Sequence, residues 1–157
     1  MDAATRIVAD YLRLEKKWLN GPDLSVATGS DVSLVAVNPA DMQRYHLEVE
    51  LGRAPLEIDN DADMKAWLQT RFFGSVREKA LLMLAFSPSH LTRILVTRSC
   101  SDVCRSACEE LGIEVWFFSD VVLELRNAAR QRVGANDHDG RYLQLLFYPP
   151  KNAAVPR

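Results

Sequence analysis

Two neighbouring stretches decide how this chain folds. The first is Asp31-Val32-Ser33-Leu34-Val35-Ala36-Val37-Asn38-Pro39, and the second is Tyr45-His46-Leu47-Glu48-Val49-Glu50-Leu51. The first is almost continuously apolar from Val32 to Val37, which predicts a strand over 31–38 that is central and buried on both faces. Asn38-Pro39-Ala40-Asp41 is a turn signal. In the second stretch Tyr45, Leu47, Val49 and Leu51 alternate with His46, Glu48 and Glu50. That is a period of two, with the polar set on one face of a strand. The link between them is short, so the pair is expected to be antiparallel. Asp31 begins one strand, and Glu48 and Glu50 point the same way from the next, so three carboxylates are expected at one end of the sheet. Spacing alone favours the wet face of a half-exposed strand.

Working outward, Ile7, Tyr11, Leu14 and Trp18 recur at helical spacing and predict an amphipathic helix over 3–19, stopped by Asn20-Gly21-Pro22. A short strand is expected at 24–27, with a turn at Thr28-Gly29-Ser30. Asp59, Asp61 and Asp63 place acids at the positive end of a helix that continues through Met64, Trp67, Leu68 and Phe72. Gly74-Ser75 breaks it, and a second helix is expected over 76–86. A strand over 91–97 follows, then a helix over 101–111 capped by Ser101 and stopped by Gly112. Next come a strand over 114–118, led in by Ile113, and a helix over 119–132. Residues 133–140 form a polar loop, 142–148 suit either strand or helix, and the tail beyond Pro149-Pro150 is expected to fray. The fold class is therefore α/β: a mixed sheet, antiparallel meander first and parallel βαβ unit after, with helices on both faces. The expected organisation is a single domain over 1–148 with a frayed tail over 149–157.

Composition agrees with one globular domain. The chain has 157 residues, 48% of them hydrophobic and 25% charged, close to the average for soluble globular proteins. A domain of about 150 residues buries about 68–70% of its unfolded surface, so it needs no disulfide or structural metal. The net charge of −2 excludes a chain that coats nucleic acid or anionic membrane by bulk charge. Charge is unevenly divided: residues 1–64 hold 12 acidic and 6 basic side chains, and residues 65–157 hold 9 and 13. The longest apolar runs, such as 80–86, fall far short of the ~20 residues of a membrane span. The start of the chain lacks a secretory layout. Cys100, Cys104 and Cys108 are an odd set crowded into one segment, not a disulfide framework, so a reducing cytoplasm is the expected compartment.

The acids are the best candidates for chemistry. Hard divalent ions such as Mg²⁺ take oxygen ligands, typically one or two carboxylates with waters and substrate phosphate. Such an ion lowers the pKa of bound water and offsets charge on a phosphodiester in the transition state. Rigid acids on neighbouring strands are what that task needs.

The stretch from Gly29 to Pro39, followed by Tyr45-His46-Leu47-Glu48-Val49-Glu50, resembles the core of the restriction endonuclease-like superfamily, the PD-(D/E)XK nucleases. Their Asp-Leu-Leu-Ala-type strand precedes a hairpin and a Glu-Val-Lys strand, and the order of elements over residues 3–130 is similar. The resemblance implies a nuclease-like protein that acts on or beside DNA by metal-dependent phosphodiester hydrolysis. Glu48 matches the carboxylate of the Glu-x-Lys motif. Glu50 stands where the lysine belongs, although some active restriction enzymes carry Glu-x-Glu there. Ser33 stands where the strand aspartate belongs. Asp31 is two residues away on the same side, a displacement of ~6–7 Å along a strand. Glu15 is the only Glu available on the first helix. The implied catalytic set is Asp31, Glu48 and Glu50, with Asp31 and Glu48 holding Mg²⁺ or Mn²⁺. The departures leave open an inactive pseudo-nuclease that serves as a protein-interaction or nucleic-acid-binding subunit, with DNA, a protein partner or a second copy as its partner.

Other candidates are weaker. Cys104 and Cys108 lie one helical turn apart without zinc-site spacing or a nearby His, and are expected to be buried. His46 shares the polar face with Glu48 and reads as a solvated strand histidine or a phosphate or metal contact. His90 and His138 fall in loops, and Asn136-Asp137-His138-Asp139-Gly140 lacks the full calcium-loop pattern. Arg71, Arg77 and Lys79, and later Arg126, Arg130 and Arg132, have helical spacing and suit a solvated or phosphate-facing side. Trp116 and Phe117 must point to opposite faces of their strand.

Overall fold

A computed structural model describes residues 2–20, 25–26, 30–31, 34–83 and 86–131. The first helix, α1 (Ala3–Tyr11), opens on Asp2, whose carboxylate accepts from Thr5 N at 2.9 Å. That backbone bond holds the Asp2 carboxyl below its usual range, against a smaller opposing effect of burial. The expected helix over 3–19 ends early. A π-helical turn (Leu12–Lys16) follows α1, and Lys17 adopts φ 59°. The reversal swings Trp18 onto Tyr45, where the rings stack at 3.9 Å.

Strands β1 (Leu19–Asn20), β4 (Leu34–Val37), β5 (Arg44–Glu50), β6 (Leu91–Thr97) and β7 (Ile113–Phe117) form one mixed sheet in the order β1-β4-β5-β6-β7. β1 and β4 pair antiparallel, as do β4 and β5, with Leu34 opposite Leu47. β5, β6 and β7 are parallel. The antiparallel meander followed by a parallel βαβ unit is therefore present. The strand expected over 31–38 is divided, however. β2 (Ser25–Val26) and β3 (Ser30–Asp31) form a separate two-stranded ladder, and only β4 joins the main sheet. β4 is buried on both faces as expected, but the middle position belongs to β5.

Helices α2 (Ala54–Glu57), α3 (Asp61–Phe73), α4 (Ser75–Met83), α5 (Asp102–Glu110) and α6 (Phe118–Gln131) complete the described fold, with a 3₁₀ turn at Pro88–His90. Asn60 caps α3 by accepting from Asp63 N at 2.8 Å. Ser101 caps α5 by accepting from Cys104 N at 3.1 Å, and Gly112 ends that element at φ +66°. The short α2, with Pro55 in its first turn, was signalled only by that proline. The regions assigned above to 133–140, 142–148 and 149–157 lie outside the described residues, as do Ser33, His138 and Arg132.

The core has two sides. α1 and α6 cover one face through Val8, Tyr11, Leu125 and Ala129, packed on Leu34, Leu47, Ile94 and Val96. α3 and α5 cover the other through Met64, Leu68, Phe72, Cys104 and Cys108, packed on Leu95 and Ile113. α4 adds Ala80 and Leu81 against Val35 and Leu91. Among the described residues no helix is long and apolar enough to cross a membrane.

Two local substitutions test the start and the stop of α5. Ser101→Ala removes the cap of α5 and is expected to cost about 1 kcal/mol. Gly112→Ala forces an L side chain into the left-handed region and is expected to cost about 1–2 kcal/mol. Each should lower the urea midpoint with an unchanged denaturant slope.

Candidate functional site

The alternation of β5 places Tyr45, Leu47 and Val49 against the first core and His46, Glu48 and Glu50 beneath α3 and α4. The polar set is not a wet face. His46 is 0% exposed and Glu48 is 1% exposed. The reason is position: β5 is the middle strand, and helices cover both of its faces. A period of two reports which residues share a face, but not what covers that face.

Burial of a carboxylate is costly unless it is paired and hydrogen-bonded. Glu48 is both. Arg77 Nη1, from the first half of α4, donates to Glu48 Oε1 in a short ion pair. His46 Nε2 lies 2.8 Å from the same oxygen. With Glu48 ionised against the guanidinium, that ring nitrogen is the donor. Nδ1 has no hydrogen-bond partner among the described residues, and the ring meets the edge of Phe72 with centroids 5.2 Å apart. His46 is therefore a core histidine that orients Glu48, not a solvated one.

Glu50 is held separately and nearer the surface. Its Oε2 accepts from Arg71 Nη2 at 2.7 Å, and its Oε1 accepts from Gly52 N at 2.8 Å. Arg71 also lies over the Trp67 ring, 5.5 Å from its centroid. A third arginine, Arg93, is the β6 neighbour of His46. Its guanidinium sits 4.1 Å from the Phe73 centroid, and burial pulls its pKa below the usual arginine value while Glu78 opposes the shift. On this face the acids and arginines of β5, β6, α3 and α4 sit within apolar packing that includes Met64, Leu68, Phe72 and Leu95.

The fold keeps Glu48 and Glu50 on one face but gives each its own cation. Asp31 belongs to the separate β2–β3 ladder, and α4 lies beside β3. Among the described residues no three His, Cys, Asp or Glu side chains come together as a metal-holding group. Glu15 is in the π-helical turn, away from β5 in the chain. Arg71 and Arg77, whose helical spacing suited a solvated or phosphate-facing side, are turned inward instead. Helical spacing gives no signal of this, because which side of α3 and α4 meets β5 is set by packing. Arg126 and Arg130 are exposed on α6.

Cys104 and Cys108 are buried and Cys100 is half-buried, and all three are free thiols. Burial, then the neighbouring Cys104, pushes the Cys100 thiol up to about 12. Cys104 is raised as well, first by its hydrogen bond with Cys108 and then by burial. Reactive cysteines have lowered values, so these thiols serve packing.

Three outcomes follow from these contacts. Glu48→Ala strands Arg77 and His46 in the interior and is expected to cost about 3–5 kcal/mol in urea unfolding. Glu50→Ala opens a more exposed pair and is expected to cost about 1 kcal/mol. Because Cys100 forms its thiolate only as the pH approaches 12, its alkylation at pH 8 should run roughly a hundredfold or more slower than that of a free thiol, and rise with pH while the fold persists.

No protein-family model matches the sequence, and neither a curated protein nor a solved structure matches the chain.

Proposed function

We propose that this chain is a restriction endonuclease-like module whose acidic site has become an internal ion-pair cluster. It works as a binding subunit beside DNA or a protein partner rather than by metal-dependent hydrolysis. The observation that carries this reading is the state of Glu48, the one clean match to the nuclease motif: 1% exposed and bound by both Arg77 and His46. A hard divalent cation needs carboxylate oxygens that can reach it together with water and phosphate. Drawing Glu48 into that role would leave the Arg77 guanidinium without its carboxylate in a region of low dielectric. Glu50, in the lysine position, is itself neutralised by Arg71. The middle position of β5, with an antiparallel neighbour on one side and a parallel neighbour on the other, supports the resemblance in fold.

One observation favours a second reading. Arg77 supplies positive charge beside Glu48, the charge-offsetting task that Glu50 cannot perform. On that reading Asp31 and Glu48 hold Mg²⁺ or Mn²⁺, Glu50 is a further ligand or base, and the chain hydrolyses a phosphodiester.

The test is incubation of the purified chain with plasmid, linear and single-stranded DNA in Mg²⁺, Mn²⁺ or EDTA, beside Glu48→Gln with its melting temperature recorded. The expected result is no cleavage in any metal and a lowered melting temperature for the variant. Cleavage that requires the metal and disappears in a stably folded Glu48→Gln would establish the second reading instead.

A further inference from the structure

The two ends of the main sheet are unlike. β1 is two residues long, a short edge of the kind that discourages pairing with another chain. β7 is five residues long, Ile113-Glu114-Val115-Trp116-Phe117, and pairs only with β6 among the described residues. It contains no Pro or Gly, and four of its five residues are strong strand formers. Glu114 is its one charge. Grooves run along both of its faces. One, of about 440 Å³, is bounded by Arg105, Glu109 and Phe117. The other, of about 250 Å³, is bounded by Lys16, Trp116 and Glu124.

We propose that β7 is the contact strand of a homodimer. Two copies pair β7 with β7 antiparallel about a twofold axis at Val115, and the five-stranded sheet continues from one copy into the other. The strand is complementary to itself in this register, as an isologous contact requires. Val115 lies opposite the partner's Val115, and Ile113 lies opposite the partner's Phe117. These residues share one face by the period of two, so an apolar row meets its own reverse. On the other face Glu114 lies opposite the partner's Trp116.

Charge settles the choice of occupant. Lys16 Nζ stands 6.0 Å from the Trp116 ring centroid. A carboxylate placed opposite Trp116 therefore arrives beside an ammonium group. The twofold axis makes this pairing twice, Glu114 to the partner's Lys16 and Lys16 to the partner's Glu114. Within one copy the carboxylate near Lys16 is that of Glu124, at 3.7 Å, and Glu114 is exposed. The proposal is independent of the reading of Glu48, which sits two strands away on β5.

Sedimentation velocity of the full chain across a wide micromolar range tests it. The wild-type chain is expected to be dimeric at high concentration. Glu114→Lys and Lys16→Glu are each expected to weaken the dimer by about tenfold or more, and the double variant to recover most of the loss. Circular dichroism checks that each variant is folded. A wild-type chain that stays monomeric throughout overturns the proposal, including the case in which the chain's own residues 142–148 cover β7. A dimer that neither charge reversal weakens overturns it as well.

Discussion

The ion pair between Glu48 and Arg77 constrains most of the surrounding architecture. A carboxylate at the centre of a covered sheet must be paired or it opposes folding, and its partner must come from whatever packs above it. Here that element is α4, so Arg77 has to stand over β5. The break at Gly74 makes this geometry available. A Cβ at position 74 would lie 2.9 Å from Thr70 O, and the extended backbone there lets α4 start in a new direction. As a result Arg71 at the end of α3 reaches Glu50, while Arg77 in α4 reaches Glu48. Two acids one strand period apart are matched by two arginines on either side of a helix break.

Both faces of the sheet have apolar cores, and the face beneath α3 and α4 adds ion pairs to its own. Beneath α1 and α6 the packing is aliphatic and aromatic, with Trp18 stacked on Tyr45 and Trp116 meeting the Tyr11 ring edge-on at 6.1 Å. The Tyr11 hydroxyl donates to Glu124 at 2.6 Å, and burial followed by that carboxylate raises its pKa. Beneath α3 and α4 the apolar packing also encloses the ion pairs of Glu48 and Glu50, and Arg71 and Arg93 lie on aromatic rings. Buried ion pairs add little net stability compared with apolar packing, yet are expensive to break singly. Such pairs fix how helices seat on a sheet more than they strengthen the fold.

Much of the fold was legible because its signals are local. The strand at Leu91–Thr97, the cap at Ser101 and the stop at Gly112 each depend on a few adjacent residues. The first helix was extended too far because Trp18 keeps helical spacing with Tyr11 and Leu14, while its actual position is set by stacking on Tyr45, far away in the chain. The apolar stretch beginning at Asp31 looked like one strand, because hydrophobicity does not reveal that Ser30–Asp31 pairs with Ser25–Val26 rather than with the main sheet. At the candidate site, the alternation showed that His46, Glu48 and Glu50 share a face. It gave no sign that α4 would cover them.

By itself the sequence determined the α/β class, the antiparallel-then-parallel order of the sheet and the grouping of the acids of β5, because each follows from periodicity, turn chemistry and link length within a short span of chain. Tertiary structure alone decided that β5 is the middle strand, that its polar face is interior, and that Arg77 and Arg71 answer Glu48 and Glu50. The reason is that the cost of a charge depends on the dielectric around it and on the distance to its counter-charge. Both are set by elements distant in sequence, and neither is written in the spacing of the residues that carry the charge.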